Sequence, residues 1–530
     1  MVDCPLDGAQ AWPSTWPFSS RTSSAAPAAA ATTAAAAAAA AEGPAALPAA
    51  LPAALPAALP AALYGLPPGR LDAAMAARSA YVHIPFCRQK CHYCDFAVHA
   101  IGSRAATAAT TTLMAGYVES LTREIRATAA LGGVGSGSAA AREPLQTVYI
   151  GGGTPSLLPA PLMGSVLAQI EESFGIAPGA EVTVEADPAT FTGETLEALY
   201  ALGVNRLSVG AQAFQDKLLA GAGRTHSVDD TQVALAAVAE SPFAGNWSLD
   251  LLFGLPQQTS TDWAESIALA VAAAPQHIAT YGLTVEPGSS WGLRGYEESI
   301  SPLPQEGHVV EMFETVHSSL AAAGYGHYEV SNFAKPGWES HHNQVYWEGK
   351  QFWGFGVGAT SCDERLRVRR PRSIRAWERW VDQLEGRLEH GCKGVADGAG
   401  ELGGGAEAED SDVVDVVIGG LRTAKGVSFQ SLREVAGGDP GGGAGRGAAA
   451  LERLWPMLLT LQTQGLLELQ VDPSGDGPDR SRVVSCEREE VVKAGGGWAG
   501  DVQGTVRLTA PAGFLVADGI TAELWSTVEC

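Results

Sequence analysis

Six short apolar runs that alternate with amphipathic segments constrain the fold of this chain most strongly. The runs are nearly continuous in hydrophobicity, which is typical of parallel strands that are covered on both faces. The predicted strands lie at 80–84, 146–150, 181–186, 206–211, 247–254 and 277–285. Between them apolar residues recur at helical spacing, as from Leu113 to Ile125 and from Leu162 to Ile170. We therefore predict an α/β fold, either a βα barrel or a doubly wound sheet.

Residues suited to binding follow these predicted strands at their carboxyl ends. Cys87 follows the first strand, a Gly-Gly-Gly-Thr stretch at 151–154 follows the second, and Gln212 follows the fourth. Glu185 and Asp250 lie inside the third and fifth apolar runs. Because ligands bind at the carboxyl edge of parallel strands in both candidate folds, the sequence predicts one shared binding site there.

The two carboxylates within strands carry information of their own. An ionised carboxylate in an apolar run is unfavourable unless a ligand or an opposite charge meets it. Glu185 and Asp250 are therefore candidate ligand-binding residues. The alternative is a buried structural ion pair, for instance between Glu185 and Arg206 or Arg224.

Three cysteines, Cys87, Cys91 and Cys94, form a CxxxCxxC stretch, and the other five cysteines are scattered. This usage indicates a metal site in a reducing compartment rather than a disulfide framework. A [4Fe–4S] cluster normally takes four thiolates, so three leave one iron with an open position for a ligand. The alternative is a zinc site completed by His92 or His99.

The glycine stretch belongs to "GGGTPS", residues 151–156. Glycine lets a ligand approach the backbone closely, and exposed N–H groups at such a turn can bind an anionic group such as a carboxylate. The stretch follows a predicted strand in the same layer as the cysteines. We therefore expect it to line the same site.

The cysteine stretch with Tyr93 before its last cysteine, followed by "GGGTP", resembles the radical S-adenosylmethionine (radical SAM) enzymes. The resemblance is to the oxygen-independent coproporphyrinogen III oxidase family (HemN-like), most of all to its heme-chaperone branch (HemW), and it covers roughly residues 79–430. Eight stretches carry it in order: "YVHIPFC", "YIGGGTPS", "VNRLSVGAQAF", "GRTHS", "LDLLFGLPQQT", "YGLTVEPG", "YEVSNFAKPG" and "HHNQVYW". It implies a partial (βα)6 barrel with a C-terminal domain of the family's own type. The amphipathic pattern of residues 412–530 predicts that this domain is small and mainly helical.

The resemblance also implies a set of site residues. Cys87, Cys91 and Cys94 would ligate the cluster, whose open iron chelates the amino and carboxylate groups of S-adenosylmethionine in that family. The residues implied to contact this cofactor are Tyr81, Tyr93, Gly152, Gly153, Thr154, Glu185, Gln212, Arg224 and Asp250. Gly282 and Thr360 match cofactor-lining positions only loosely.

"HHNQVYW" matches the HNxxYW pattern that is linked to heme binding in the chaperone branch. By that resemblance His342 is the expected heme ligand, with Tyr346 and Trp347 packed against the macrocycle. The alternative is that His342 caps a turn while the aromatic residues fill the barrel mouth. His341 departs from the pattern, because the family usually has arginine there.

Three functions are compatible with these residues. The first is a heme chaperone that binds a [4Fe–4S] cluster, S-adenosylmethionine and heme, accepts electrons from a donor and delivers heme to a respiratory protein. The second is an oxygen-independent coproporphyrinogen III oxidase. The third is a radical SAM enzyme with another substrate such as a nucleic acid, which the net charge of −24 disfavours. Phe96 stands where the oxidase branch has a fourth cysteine, so we expect no oxidase activity.

The chain divides into four predicted regions. Residues 1–78 are a disordered, Ala- and Pro-rich extension, and residues 79–300 are the radical SAM core. Residues 301–392 carry the HNxxYW motif, and 393–530 form a C-terminal domain of the family's type with Gly-rich insertions. The extension indicates organelle targeting, to the mitochondrion before the chloroplast; otherwise it is a low-complexity segment without a role and the protein is cytoplasmic. We expect no membrane span.

Overall fold

The structure is a computed structural model, which describes most of the chain from residue 78 onwards. The described residues are 78–102, 107–131, 143–293, 303–363, 366–389, 406–408, 412–428, 430–431, 457–458, 460–472, 482–483, 503–510, 512–515 and 517. The predicted extension over residues 1–78 lies outside this part except for Arg78, as do most of the predicted Gly-rich insertions. The disorder of the extension and the four region boundaries therefore stay predictions.

Strands are numbered β1 to β18 along the described part of the chain. They are Ser79–Ile84, Phe86–Cys87, His99–Ala100, Leu145–Gly152, Ile176–Ala186, Arg206–Gln212, Trp247–Phe253, His277–Gly282, Gly326–Glu329, Asn332–Ala334, Trp353–Phe355, Thr360–Asp363, Leu366–Arg369, Ala406–Ala408, Val427–Ser428, Leu467–Asp472, Arg482–Val483 and Gln503–Leu508.

Helices are numbered α1 to α12 in the same way. They are Ala108–Ala130, Ala160–Phe174, Gly193–Ala201, Asp216–Gly221, Val228–Ala239, Ser260–Ala272, Ser290–Leu293, Glu306–Ala322, His341–Trp347, Ile374–Glu389, Asp412–Leu421 and Ala512–Leu515. Side-chain hydroxyls of Thr107, Thr192, Ser227 and Thr259 cap the starts of α1, α3, α5 and α6. These caps satisfy N–H groups that have no partner within the helix, which is why the helices begin there. Among the described helices, none is both long and apolar enough to cross a bilayer.

Nine of the described strands form one sheet in the order β11-β1-β4-β5-β6-β7-β8-β10-β9. Neighbours from β11 to β8 run parallel, and β10 pairs antiparallel with both β8 and β9. The six predicted strands correspond to β1, β4, β5, β6, β7 and β8, which lie side by side in sequence order. The predicted α/β fold is confirmed, and β5 begins at Ile176 rather than at residue 181.

The two faces of the parallel strands differ in polarity. Side chains alternate along a strand, so every second residue faces the same side. One face carries buried apolar residues, among them Val148, Ile150, Val184, Leu207, Val209, Leu249 and Leu251. The other face carries the polar residues Tyr149, Glu185, Ser208 and Asp250, which line one cavity. The sheet therefore has an apolar side for core packing and a polar side for binding.

Beyond residue 320 the described chain covers the edges of this sheet. Helix α9 lies against β4 and β5, because the backbone N–H groups of His341 and His342 donate to the carboxylate of Glu181. Farther along, β15, β18, β16 and β17 form a separate antiparallel sheet. Its central pair, β16 and β18, is antiparallel over Leu467–Asp472 and Gln503–Leu508.

A buried ion pair ties the later part of the chain to the barrel. Glu124 of α1 accepts a hydrogen bond from Arg370 Nε at 2.8 Å, and both side chains are fully buried. The same carboxylate accepts from the indole N–H of Trp377 at 2.9 Å and from the Gly356 N–H at 2.8 Å. Because three separate segments converge on one carboxylate, this charge holds α10 and β11 against α1.

Replacing Glu124 by Gln should destabilise the protein by about 3 kcal/mol, because the Arg370 guanidinium would keep its buried charge without a counter-charge. The measurement is the free energy of unfolding from urea titration. Asp382→Asn is the matched control, since the exposed Arg123–Asp382 pair also joins α1 to α10. That control should lose less than about 1 kcal/mol. Equal losses in the two variants would contradict the role given to Glu124.

Candidate functional site

A cavity of about 500 Å³ opens at the carboxyl ends of the parallel strands. Most of the predicted site residues line it together: Cys87, Cys91, Cys94, Tyr93, Gly152, Gly153, Thr154, Glu185, Gln212, Arg224 and Asp250. Gly282, which matched only loosely, lines it as well. Tyr81, Thr360 and His342 are not among its lining residues.

The three clustered thiols are free and partly exposed. The Thr154 hydroxyl donates to Cys87 Sγ at 3.5 Å, and Arg224 Nη1 donates to Cys91 Sγ at 3.6 Å. Burial raises the pKa of Cys87 to about 12, and burial also raises the pKa of Cys94. A bare thiolate is therefore unfavourable here, and metal ions are the kind of ligand that would stabilise the deprotonated sulfurs.

The two histidines considered as zinc ligands, His92 and His99, do not line the cavity that the three thiols share. His92 Nδ1 lies 3.2 Å from the Gly221 carbonyl oxygen, and His99 is exposed on β3. In the part of the chain that the structure describes, no group of three or more His, Cys, Asp or Glu residues is placed to hold a metal ion. The choice of a cluster over zinc therefore rests on the family resemblance.

The glycine stretch connects the cysteine loop to the sheet. Gly153 N–H donates to the Ile84 carbonyl and Thr154 N–H to the Phe86 carbonyl, both at 2.8 Å. A Cβ atom on Gly153 would lie 2.7 Å from the Pro85 carbonyl carbon, which no side chain could tolerate. The expectation of exposed N–H groups for an anionic ligand therefore fails at these two positions. Their N–H groups are used by the backbone, and glycine is needed for the close approach of two chain segments.

Glu185 is held by neutral groups. It accepts from the Tyr149 hydroxyl and from the Gly152 N–H, each at 2.9 Å. Neither Arg206 nor Arg224 forms an ion pair with it within the described residues, so the predicted structural ion pair is absent there. Burial raises the pKa of Glu185 to about 7. The carboxyl group faces the cavity and can meet a cationic or hydroxyl group of a ligand.

Asp250 has a similar environment. The Ser208 hydroxyl donates to it at 2.9 Å and the Ser248 hydroxyl at 3.0 Å, and burial raises its pKa. The sequence analysis missed both serines. Ser208 and Ser248 lie an even number of residues before Gln212 and Asp250 on the same strands, so the two-residue period of a strand could have identified them.

Arg224 is anchored by an unpredicted partner, Asp187. Arg224 Nη2 lies 2.5 Å from the Asp187 carboxylate, and His226 Nδ1 lies 3.1 Å from the same oxygen. Burial alone would raise the pKa of Asp187, but Arg224 and His226 outweigh it and lower that pKa. Arg224 Nε is buried and has no hydrogen-bond partner within the described residues. Asp187 therefore positions Arg224 in the cavity wall.

Gln212 adopts a left-handed backbone conformation, with φ of 66°. It ends β6, where the register with β7 shifts between Val209 and Gln212. A side chain other than glycine rarely adopts this conformation without support from its surroundings, and such strain is concentrated at functional sites. The bulge aims the Gln212 side chain into the cavity instead of into the next ladder position.

Tyr81 lies in the wall of a second cleft of about 440 Å³, which shares Phe96 with the first cavity, and so does Thr360. The Tyr81 hydroxyl lies 3.0 Å from His83 Nδ1, and its ring stacks on Tyr149 with centroids 6.3 Å apart. Tyr149 lines the first cavity. Tyr81 is therefore one ring removed from the site that the resemblance implied for it.

His342 is buried, with 1% of its surface exposed. Nδ1 lies 2.8 Å from the Thr147 hydroxyl, and Nε2 lies 2.8 Å from the Tyr346 hydroxyl. The ring stacks on Tyr149 with centroids 5.1 Å apart. Burial lowers the pKa of His342 to about 3, so the imidazole is neutral at physiological pH. A neutral imidazole keeps the lone pair that iron ligation needs, but both nitrogens already have partners.

Residues 81–270 match the radical SAM superfamily. The chain is 39% identical over 360 residues to the heme chaperone HemW of Synechocystis sp., which covers 67% of this chain and 81% of that protein. It is 35% identical over 297 residues to the radical S-adenosyl methionine domain-containing protein 1, mitochondrial, of Mus musculus. That match covers 56% of this chain and 62% of the mouse protein. The structure of coproporphyrinogen III oxidase (HemN) from Escherichia coli matches with a TM-score of 0.61 at 20% identity, covering 85% and 90%. This last likeness concerns the fold.

In protein prepared without iron, Glu185 should make stability depend on pH. The unfolded carboxyl group ionises near pH 4.5, whereas burial holds its folded pKa near 7. The folded state therefore binds more protons between these values, and the free energy of unfolding should fall by about 3 kcal/mol as pH rises through that window. Urea titrations at a series of pH values should show this fall in the wild type. In Glu185→Gln the free energy of unfolding should depend less on pH. Glu197→Gln, at an exposed position of α3, is the control. If Glu185→Gln showed the same dependence of stability on pH as the wild type, the prediction would be contradicted.

Proposed function

We propose that this chain, which belongs to the HemW family of radical SAM proteins, binds a [4Fe–4S] cluster, S-adenosylmethionine and heme and delivers heme to an acceptor protein. Family membership rests on 39% identity over 81% of the Synechocystis heme chaperone. One observation carries the cofactor part of the proposal. Three free thiols and three charged side chains, Glu185, Arg224 and Asp250, line a single cavity at the carboxyl edge of the sheet.

Cys87, Cys91 and Cys94 are the proposed cluster ligands. Their loop is held by backbone hydrogen bonds, so the sulfurs are presented to the cavity before any metal binds. Arg224 next to Cys91 contributes a positive charge beside the proposed ligand set. With three cysteine ligands, a bound cluster would have one iron without a thiolate, which could take the amino and carboxylate groups of S-adenosylmethionine. The other residues that line the cavity would then orient the rest of the cofactor.

The polar wall of the cavity supports that orienting role. Glu185 and Asp250 present carboxyl groups that can accept hydrogen bonds from amino and hydroxyl groups, and Arg224 lines the same cavity with its guanidinium held by Asp187. Gln212 is directed into the same space by its strained backbone. Buried polar groups of this kind are costly in an empty cavity, and a bound polar ligand would offset that cost.

Heme enters the proposal through the relatives and the HNxxYW motif. Proteins named heme chaperones align with this chain, and His342 remains the proposed heme ligand. Nε2 of His342 can ligate iron only after the Tyr346 hydroxyl leaves it, because the two groups are 2.8 Å apart. The proposed heme site therefore includes a movement of Tyr346.

The mouse relative, whose name includes the word mitochondrial, supports an organellar location for this chain, and we propose the mitochondrion before the chloroplast. An electron donor for the cluster and a heme-accepting respiratory protein belong to the same proposal. Nucleic acid is an unsuitable partner for a chain with net charge −24. Coproporphyrinogen III oxidation is the alternative activity, and Phe96 in place of a cysteine argues against it.

Protein purified or reconstituted without oxygen should carry one [4Fe–4S] cluster, visible as thiolate-to-iron absorbance and as iron and sulfide per chain. Cys87→Ala, Cys91→Ala and Cys94→Ala should each lose it, because each removes one proposed ligand. Cys362→Ala is the control that should retain it, since Cys362 does not line the cavity. The same expectation holds for Cys392, which lies outside the described residues. An intact cluster in Cys91→Ala, or stoichiometric zinc in the wild type, would overturn the ligand assignment.

The isolated protein should bind heme in a Soret titration, and His342→Ala should weaken binding, since the proposed axial ligand is lost. The same preparation, given reductant, S-adenosylmethionine and coproporphyrinogen III without oxygen, should yield no protoporphyrinogen IX by chromatography. Sustained conversion that depends on Cys87 would restore the oxidase as the function. An unchanged spectrum and affinity in His342→Ala would move the ligand role to another residue.

A further inference from the structure

The second cleft contains features that the cluster site does not use. Its volume is about 440 Å³, within the range of clefts that bind organic ligands. Six of its lining residues matter for the argument: Tyr81, His83, Phe96, Tyr346, Phe352 and Arg372. Four of these have six-membered aromatic rings and one is a cation. This composition suits a ligand that is flat, apolar in the middle and anionic at its edge.

Phe96 occupies an unusual position in this cleft. It lines both the cleft and the cluster cavity, and 62% of its surface is exposed. A large apolar side chain that projects from the cysteine loop between two cavities has little packing of its own. It therefore offers a bare aromatic surface to whatever enters the cleft, about two residues from a proposed cluster ligand.

Two further rings of the cleft lining pack against each other. Tyr346 and Phe352 meet edge to face with centroids 4.7 Å apart. The two rings come from α9 and from the segment leading into β11, so neither depends on the cysteine loop. Together with the exposed Phe96, this ring pair gives the cleft an aromatic lining that suits a flat ring system.

Arg372 supplies charge at the rim. Its side chain is 64% exposed and donates to the backbone oxygen and the carboxylate of Asp95. An exposed ion pair of this kind is weak, so a carboxylate of a ligand can replace Asp95. The guanidinium also binds carboxylates with two parallel hydrogen bonds. The carboxylate-bearing edge of a ligand would therefore lie at Arg372.

Tyr346 joins this cleft to the buried histidine of the HNxxYW motif. Its ring lines the cleft, while its hydroxyl bonds Nε2 of His342. In the tautomer with the proton on Nδ1, His342 donates to the Thr147 hydroxyl and its Nε2 lone pair accepts from Tyr346. His342 does not line the cleft, so its Nε2 can meet a ligand there only after the Tyr346 side chain moves aside.

We infer that heme docks in this second cleft, with its macrocycle against Phe96 and its carboxylates at Arg372, and that Tyr346 is the movable cover of His342 Nε2. This inference rests on the heme-binding function proposed above and adds its location. It also gives the exposed Phe96 a role that differs from that of the cysteine at this position in the oxidase branch.

The test uses the full chain with its cluster reconstituted, compared at equal iron and sulfide content per chain. Heme affinity is measured by Soret titration for Phe96→Ala and Arg372→Gln. Loss of the aromatic surface should raise the Kd for heme about tenfold, and loss of the rim cation should raise it several-fold. Val233→Ala and Arg375→Gln are the matched controls, because both residues are exposed and line neither cavity. Both controls should bind heme as the wild type does.

Two further measurements separate docking from iron ligation. Metal-free protoporphyrin IX should bind the wild type and lose affinity in Phe96→Ala, yet bind His342→Ala normally, because docking needs no iron ligand. Tyr346→Phe keeps the ring but frees Nε2 of His342, so it should increase the histidine-ligated fraction in the heme spectrum.

The outcomes distinguish this inference from the proposed function. If the wild type binds no heme, both fail. If the wild type binds heme and His342→Ala weakens binding, while Phe96→Ala and Arg372→Gln bind like their controls, the cleft is excluded and the heme-binding function stands.

Discussion

Backbone hydrogen bonds between the glycine turn and the cysteine loop set the geometry of everything around them. Gly153 and Thr154 donate to carbonyls on either side of Pro85, which fixes the chain just before Cys87 against the end of β4. A side chain at position 153 would collide with that loop. The loop in turn forms one wall of the cluster cavity and one wall of the second cleft. Both cavities therefore depend on a contact between two stretches of main chain that only glycine permits.

Around this contact the protein keeps polar groups in places where burial is unfavourable. Glu185 and Asp250 face the cavity with raised pKa values and only hydroxyl and amide partners, whereas Asp187 pairs with Arg224 and has a lowered pKa. A core selected for stability alone would replace such groups by apolar ones. Asp187 therefore positions Arg224, whereas Glu185 and Asp250, which have no ion-pair partner among the described residues, can meet a ligand.

The sequence predicted this arrangement as far as local pattern reaches. Hydrophobicity along the chain predicts the six parallel strands. Their common direction then predicts that Cys87, Glu185, Gln212 and Asp250 lie at one edge of the sheet. What failed or was missed depends on contacts between distant segments. Asp187, the partner of Arg224, follows β5 and lies 37 residues away in sequence. Glu124 and Arg370 are 246 residues apart. No periodicity carries such information.

The glycine turn is a second case in which contacts between distant segments decided the outcome. Its glycine-rich sequence predicted an anion site, but the position of the cysteine loop determines which acceptors its N–H groups meet.

The placement of Phe96 suggests why two ligand sites share one loop. A cluster held by Cys94 and a macrocycle lying on Phe96 would be separated by little more than the side chain itself, and no other domain would need to move to bring them together. With both ligands bound, the aromatic ring would exclude water between the two sites, whereas a sulfur atom there would be open to chemistry from both sides. Under the proposed function, a residue that only packs at this position allows the cluster and heme to be neighbours without reacting at the wall between them.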